Sequence, residues 1–164
     1  MGAWNRNMSP EDQQYMRLAL EQARKAGDKG EVPVGAVVVC EGQVVGAGHN
    51  EKETLADPTA HAEIASIRLA ARRLGRWRLS GCVIYVTLEP CPMCMGALLQ
   101  ARLDRLVFGC PDPKAGAALT LYQMANDSRL NHRIAVEPGV LGEESSLLLK
   151  EFFRNRRQGN SSLK

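Results

Sequence analysis

Apolar residues recur at Tyr15, Met16, Ala19, Leu20 and Ala23, the spacing of a helix with one buried face. Ser9 offers an N-cap, Pro10 suits the first helical position, Glu11 and Asp12 suit the positive end, and Gly27 stops the helix. The period then changes. Val34-Gly-Ala-Val-Val-Val-Cys40 is almost continuously apolar, as in a strand covered on both faces. Glu41-Gly42 turns it into a second strand from Gln43 to about Gly48. A helix is expected from Asp57-Pro58-Thr59, with Ile64, Ile67, Leu69, Ala70 and Leu74 on its buried side and Gly75 at its end. Residues 82–88 form a third apolar strand, Pro90 opens a helix running to about Arg102, and residues 105–108 form a fourth strand. A loop rich in Pro and Gly, 109–116, leads to a short helical stretch at 119–124. Residues 134–136 read as a short strand and 142–157 as a closing helix, with a loose tail at 158–164. The order α-β-β-α-β-α-β-α-β-α predicts one α/β domain over 1–164 with its core at 10–157. Its architecture is a mixed five-stranded sheet flanked by helices.

Composition narrows the class. The chain has 164 residues, 45% hydrophobic and 24% charged, ordinary for a globular domain able to bury one core. No apolar run reaches the ~18 residues of a membrane span, so no membrane partner is expected. The start, Met1-Gly2-Ala3-Trp4-Asn5-Arg6, leads into no apolar stretch and does not read as a secretory signal. Five irregularly spaced Cys argue against a secreted disulfide scaffold and for a cytoplasmic protein that uses some thiols for metal or catalysis. Net charge is +3, too small by itself to imply nucleic acid.

Two short patterns carry chemistry: His61-Ala62-Glu63 and Pro90-Cys91-Pro92-Met93-Cys94, each at an expected helix N-terminus. Cysteines at i and i+3 share a helix face, and the positive end of a helix favours thiolates. Two thiolates and one imidazole suit zinc, and three protein ligands with a vacant fourth position describe a catalytic rather than a structural site. His61 is the well-placed third ligand, because His49 follows a strand and His132 lies far downstream. On a helix, Glu63 would point about 200° away from His61, as befits a proton carrier above a substrate. Zinc with two thiolates and a neutral imidazole sums to no net charge and still brings a bound water toward neutral pKa. A lone CxxC also fits a redox pair or half of a structural zinc site, and a lone His-x-Glu is near background; together the patterns are far more specific.

The combination resembles the signature of the zinc-dependent cytidine/adenosine deaminase superfamily. The resemblance implies the cytidine-deaminase-like three-layer α/β/α fold and attack of a zinc-activated water on the amino-bearing carbon of a nucleobase. It also makes Glu63 the proton shuttle to the departing ammonia, with Pro90 and the amide of Ala62 holding the base. More of the chain, roughly Pro10 to Arg157, resembles the bacterial tRNA-specific adenosine deaminases. The segments are Glu31-Val-Pro-Val-Gly-Ala36, Asp57-Pro-Thr-Ala-His-Ala-Glu-Ile64, Tyr85-Val-Thr-Leu-Glu-Pro-Cys91, Asn131-His-Arg133 and Glu151-Phe-Phe-Arg154. That resemblance implies a cytoplasmic homodimer converting the wobble adenosine of a tRNA anticodon to inosine, with an arginine tRNA as the expected partner. It places Asn50 at the flipped base or its ribose, and Asp112 and Asn131 near the anticodon loop.

Charge placement adds a thinner signal for RNA. Five Arg and no acid lie between Arg68 and Arg78, and Arg68, Arg72 and Arg76 would share one helix face. The segment Lys150-Glu-Phe-Phe-Arg-Asn-Arg-Arg157 mixes cations with two aromatics, including Phe153 and Arg156, as in surfaces that hold unpaired bases. The plainer reading keeps the cations as complements to helix C-termini and the Phe rings as core. Asn50 reads without the resemblance as a turn residue, Cys40 and Cys82 as core, Gly35, Gly46 and Gly48 as sites of close backbone approach or bends, and His132 as a structural or surface residue rather than a ligand. Three rival functions stay open: a deaminase of a free base or nucleoside (cytosine, cytidine or guanine), a structural zinc module, and a thiol-disulfide oxidoreductase.

Overall fold

The computed structural model describes residues 8–161. The main elements are α1 (Pro10–Asp28), β1 (Gly35–Cys40), β2 (Gln43–His49), α2 (Lys52–Leu55), α3 (Ala62–Leu74), β3 (Cys82–Leu88), α4 (Pro92–Gln100), β4 (Arg105–Cys110), β5 (Ala135–Glu137) and α5 (Gly142–Ser161). The strands form one sheet in the order β2-β1-β3-β4-β5. β1 runs antiparallel to both β2 and β3, while β3, β4 and β5 are parallel, so the sheet is mixed as expected. α1 and α5 cover one face and α3 and α4 the other. One core joins Val38, Ile84, Val86, Leu98, Leu106 and Phe108 beneath α3 and α4. The second joins Tyr15, Met16, Val37, Tyr85 and Val107 beneath α1. Alternate residues of β1 and β3 feed opposite cores, which is why these strands read as unbroken apolar runs.

α3 buries its small residues more deeply than the large ones expected on its buried side, of which Ile67 and Leu74 pack partly against the core. Its fully buried positions are Ala62, Glu63, Ser66 and Ala70, while Leu69 is 46% exposed and Ile64, Ile67 and Leu74 are only half-buried. The cause lies in β2. A Cβ on Gly46 would meet the Ser66 carbonyl at 2.2 Å, and one on Gly48 would meet Ala65 Cβ at 2.7 Å. The helix therefore lies so close to the strand that only small residues fit between them.

Other boundaries also move. α3 begins at Ala62 rather than near Asp57, and a separate short helix, α2, precedes it. Asp57 instead accepts from the Thr59 N–H (2.8 Å) and hydroxyl (2.7 Å) in a tight turn that competes with helix there. α4 begins at Pro92, not Pro90. Arg76 lies beyond the end of α3, because Gly75 takes a left-handed conformation (φ 66°) and breaks the shared face expected for Arg68, Arg72 and Arg76. The stretch 119–124 is turn and irregular chain, with one 3-10 turn at Met124–Asn126. α5 continues to Ser161, four residues beyond the expected end, and 162–164 lie outside the described residues, as does Met1–Arg6.

One polar tie crosses the second core. Asp12 on α1, only 5% exposed, accepts from Arg105 Nη1 (2.8 Å), Arg105 Nη2 (2.6 Å) and the Tyr85 hydroxyl (2.9 Å). Burial raises the Asp12 pKa, but the bonds from Arg105 and Tyr85 outweigh it and leave the carboxyl below its usual value. A depressed carboxylate stabilises the fold above its unfolded pKa, about 3.9, and loses that contribution as pH falls through the lower folded value. Asp12→Asn is expected to cost about 2–3 kcal/mol at pH 7. In urea melts from pH 7 to pH 2, its difference from wild type should be constant above pH ~5 and shrink below pH ~4. A difference that stays constant to pH 2 would exclude the ionised tie.

Candidate active site

The two sequence patterns converge where β3 ends and α3 and α4 begin. His61 and Cys91 are the N-cap residues of α3 and α4, both with extended backbone (φ −82°, ψ 155° and φ −74°, ψ 173°). Each carbonyl accepts the first helical bond, from Ala65 N–H (3.1 Å) and Met95 N–H (2.9 Å), which fixes both residues to rigid helix starts. Cys94 follows one turn into α4, fully buried. The three side chains meet: His61 Nδ1 lies 3.7 Å from Cys91 Sγ and 3.4 Å from Cys94 Sγ. A tetrahedral zinc, with bonds of about 2.3 Å to sulfur and 2.0–2.1 Å to nitrogen, sets sulfur and nitrogen about 3.6 Å apart. The measured separations bracket that value, so the donor set fits the ion in number, chemistry and span. Among the described residues this is the group of His, Cys and acidic side chains close enough to share a metal.

The hydrogen bond with Cys94 and then the one with His61 pull the Cys91 thiol down to about 4. The same contact with Cys91, followed by burial, pushes the Cys94 thiol up. Glu63 is 4% exposed, and its burial raises the carboxyl above the usual carboxylate range. A buried carboxyl whose pKa is raised by desolvation is a candidate proton carrier.

His61, Glu63 and Cys91 line a cleft of about 200 Å³ whose wall also includes Val32, Asn50 and Asp112. Ala62 lines it too, from the first turn of α3. Asn50, 4% exposed, donates from Nδ2 to the Val32 carbonyl (3.3 Å) and accepts at Oδ1 from the Lys52 N–H (3.3 Å). Asp112 accepts at Oδ1 from the N–H groups of Lys114 (2.9 Å) and Ala115 (3.2 Å), bracing its own loop. Pro90 is buried directly before Cys91, and its carbonyl accepts from Ala117 N–H (2.9 Å). Asn131 is not in this cleft; it is exposed in a shallow groove with Gly96, Arg102 and Leu130. Phe153, 43% exposed, and Arg156 sit on α5, where Phe152 meets Phe153 edge-on (5.4 Å) and Arg156 covers Phe152 (5.5 Å). His132 hydrogen-bonds the Leu103 carbonyl (2.7 Å), a structural role as expected. Cys110 is buried with its thiol toward the Thr87 carbonyl (3.6 Å).

Two buried carboxylates that shape the cleft escaped the sequence reading. Glu31 accepts from the N–H groups of Glu53 (3.0 Å) and Thr54 (3.1 Å), anchoring α2 between Asn50 and His61. Glu89 accepts from the N–H groups of Asp112 (3.2 Å), Ala118 (3.2 Å), Leu119 (2.9 Å) and Thr120 (3.0 Å), and from the Thr120 hydroxyl. It thereby organises the irregular 112–120 segment, which has no regular structure to satisfy its own donors. The available signal was a lone acid at the end of an apolar strand, directly before Pro90-Cys91. Glu89→Gln is expected to lower stability by about 2–3 kcal/mol, seen as a Tm drop of about 5–10 °C. A variant within 1 °C of wild type would show that the segment holds itself.

Comparison with known proteins places this architecture. Residues 10–157 match the MafB19-like deaminase family. The chain is 47% identical over 148 residues to the tRNA-specific adenosine deaminase of Bacillus subtilis, covering 90% of this chain and 92% of that one. A solved structure from studies of A-to-I editing by tRNA:A34 deaminases at the wobble position of transfer RNA superposes with a TM-score of 0.80 at 45% identity. That match covers 83% of this chain and 99% of that one. Guanine deaminase from Bacillus subtilis is also similar, at 37% identity and a TM-score of 0.58 over 63% of this chain and 66% of its own. The chain belongs to the family of tRNA-specific adenosine deaminases.

Proposed function

We propose that this protein hydrolyses the exocyclic amine of adenosine at the wobble position of a tRNA anticodon loop, giving inosine and ammonia. The observation that carries the reading is the buried Glu63 carboxyl in one cleft with His61 and Cys91, within a chain 47% identical to a tRNA-specific adenosine deaminase. A zinc ion held by His61, Cys91 and Cys94 would supply Lewis-acid activation of the attacking water near neutral pH. Glu63 would take a proton from the attacking water and deliver it to the departing amine, which would leave as ammonia. The Ala62 amide and Pro90 hold the base, Asn50 contacts the base or its ribose, and Asp112 meets the adjoining nucleotides.

The cleft is smaller than the ~300–1,000 Å³ of pockets for drug-sized ligands and takes one base at a time. A base must leave its stack to enter, at a cost of a few kcal/mol in a duplex and less in an unpaired loop. Asn131, Phe153 and Arg156 lie outside the cleft and would touch RNA beyond the flipped base, Phe153 by stacking and Arg156 by charge. The reading extends to one deaminase domain, a homodimer, a cytoplasmic location and an arginine tRNA as substrate. No helix among the described residues is long and apolar enough to cross a membrane.

Incubation with an anticodon stem-loop of an arginine tRNA should convert the wobble adenosine to inosine, a one-dalton mass gain, and free adenosine should not react. The likeness to guanine deaminase gives the second reading, deamination of a free purine. Turnover of free guanine or free nucleosides, with the stem-loop untouched, would establish it and reject the first.

A further inference from the structure

Cys40 and Cys82 read in the sequence as two separate core thiols, and the sheet register makes them a pair. Cys40 ends β1, Cys82 begins β3, and they are direct partners across the antiparallel ladder. Direct partners on neighbouring strands project their side chains to the same face. The Cys82 N–H donates to the Leu79 carbonyl (3.0 Å) and its own carbonyl accepts from the Asp104 N–H (3.2 Å), so Cys82 gives no ladder bond to Cys40. Partner residues of this non-hydrogen-bonded kind have Cα atoms about 4.5 Å apart. That spacing lies within the ~4.4–6.8 Å that a disulfide spans.

The two thiols are unequal in a way that suits stepwise oxidation. Cys82 is fully buried, whereas Cys40 is partly exposed at the strand end. Arg76 Nη2 lies 4.0 Å from Cys40 Sγ. The guanidinium is held there by bonds to the carbonyls of Arg78 (2.6 Å) and Ser80 (3.1 Å). A fixed cation thus sits beside the sulfur an oxidant reaches first. Burial, and then the neighbouring Cys40, push the Cys82 thiol up to about 12, which together with its lack of exposure leaves the first reaction to Cys40.

We propose that Cys40 and Cys82 form a reversible disulfide between β1 and β3 when the protein meets hydrogen peroxide. The Cys40 sulfur attacks one peroxide oxygen and the O–O bond breaks. Cys40 becomes a sulfenic acid, and the departing hydroxide takes the thiol proton to leave as water. The Cys82 sulfur then attacks the sulfenic sulfur. The S–S bond forms, the S–O bond breaks, and the hydroxyl leaves with the Cys82 proton as a second water. Two thiols and one peroxide become one disulfide and two waters, and a thiol such as reduced glutathione reverses the bond by exchange.

The bridge would close the chain between residues 40 and 82, which contains Asn50, His61, Ala62 and Glu63. It would do so away from the cleft: Val34 and Leu88 line the cleft, Ala36 pairs with Val86 next to them, and Cys40 pairs with Cys82 four residues further along. Four residues of strand span about 13 Å.

The test treats the folded, zinc-loaded protein with hydrogen peroxide, blocks remaining thiols with N-ethylmaleimide and maps peptides without reduction. The expected product is a Cys40–Cys82 linked peptide two hydrogens (about 2 Da) lighter than its two parts, which dithiothreitol separates again. Cys40→Ser should abolish that peptide, leave Cys82 open to alkylation after denaturation and keep untreated deamination within about twofold of wild type. Cys82→Ala should leave Cys40 as a stable sulfenic or sulfinic acid; if that variant does not fold, the wild-type and Cys40→Ser maps decide. Recovery of both thiols as free, or of Cys40 over-oxidised with Cys82 untouched in the wild-type chain, overturns the proposal.

Discussion

Glu63→Gln is expected to lower kcat on an anticodon stem-loop by about 10²–10⁴-fold, the usual contribution of a positioned acid-base group. The amide keeps the volume and polarity of the side chain and loses only its ability to carry a proton. Glu63 is buried in the first turn of α3 at the cleft wall, so a larger change of shape would disturb its surroundings. Burial raises the wild-type carboxyl above the usual carboxylate range. Because the loss is chemical, kcat should fall while KM stays within a few-fold, and the variant should bind as much zinc as wild type. Steady-state kinetics, metal analysis and circular dichroism together check this. A variant with full activity would remove Glu63 from the reaction, and one without metal would make it a structural residue instead.

The second large effect is loss of the ion. Dialysis against a chelator should abolish turnover, zinc should restore it at one ion per chain, and His61→Ala should neither hold the ion nor be rescued. The expectation rests on the separations of 3.4 and 3.7 Å between His61 Nδ1 and the two sulfurs, which already match a tetrahedral site. Since the thiols must lose their protons to bind, zinc affinity should fall as pH drops. The ion should also raise Tm, because it binds three groups that only the folded chain brings together. A metal-free chain of full activity, or a His61→Ala variant with unchanged turnover, would refute the site.

Much of this was legible along the chain. The apolar runs of β1 and β3, the helical period of α1 with its Ser9 cap, and the hairpin at Glu41-Gly42 are local signals that tertiary packing reinforces. His61, Glu63, Cys91 and Cys94 stood out because few other uses call for those residue types at that spacing. The expected buried side of α3 held for Ala70 and in part for Ile67 and Leu74 but not for Leu69, for a reason that lies elsewhere in the sequence. Hydrophobic periodicity records which residues are large and apolar, whereas here the space was set by Gly46 and Gly48 on another element. Asp57-Pro58-Thr59 also misled, because a side-chain turn there mimics a helix start.

The sequence by itself determined the chemistry on offer: which side chains could hold an ion, which could move a proton, and which stretches must be buried. Those follow from residue type and short-range spacing. Tertiary structure decided which of them meet. Only the strand register sets Cys40 opposite Cys82. Only the docking of the 112–120 segment onto Glu89 brings Asp112 to the cleft wall, and only α5's position leaves Phe153 and Arg156 outside the cleft. The first two are meetings of residues more than twenty positions apart and the third is a separation, all fixed by how the layers pack, and no local pattern encodes that.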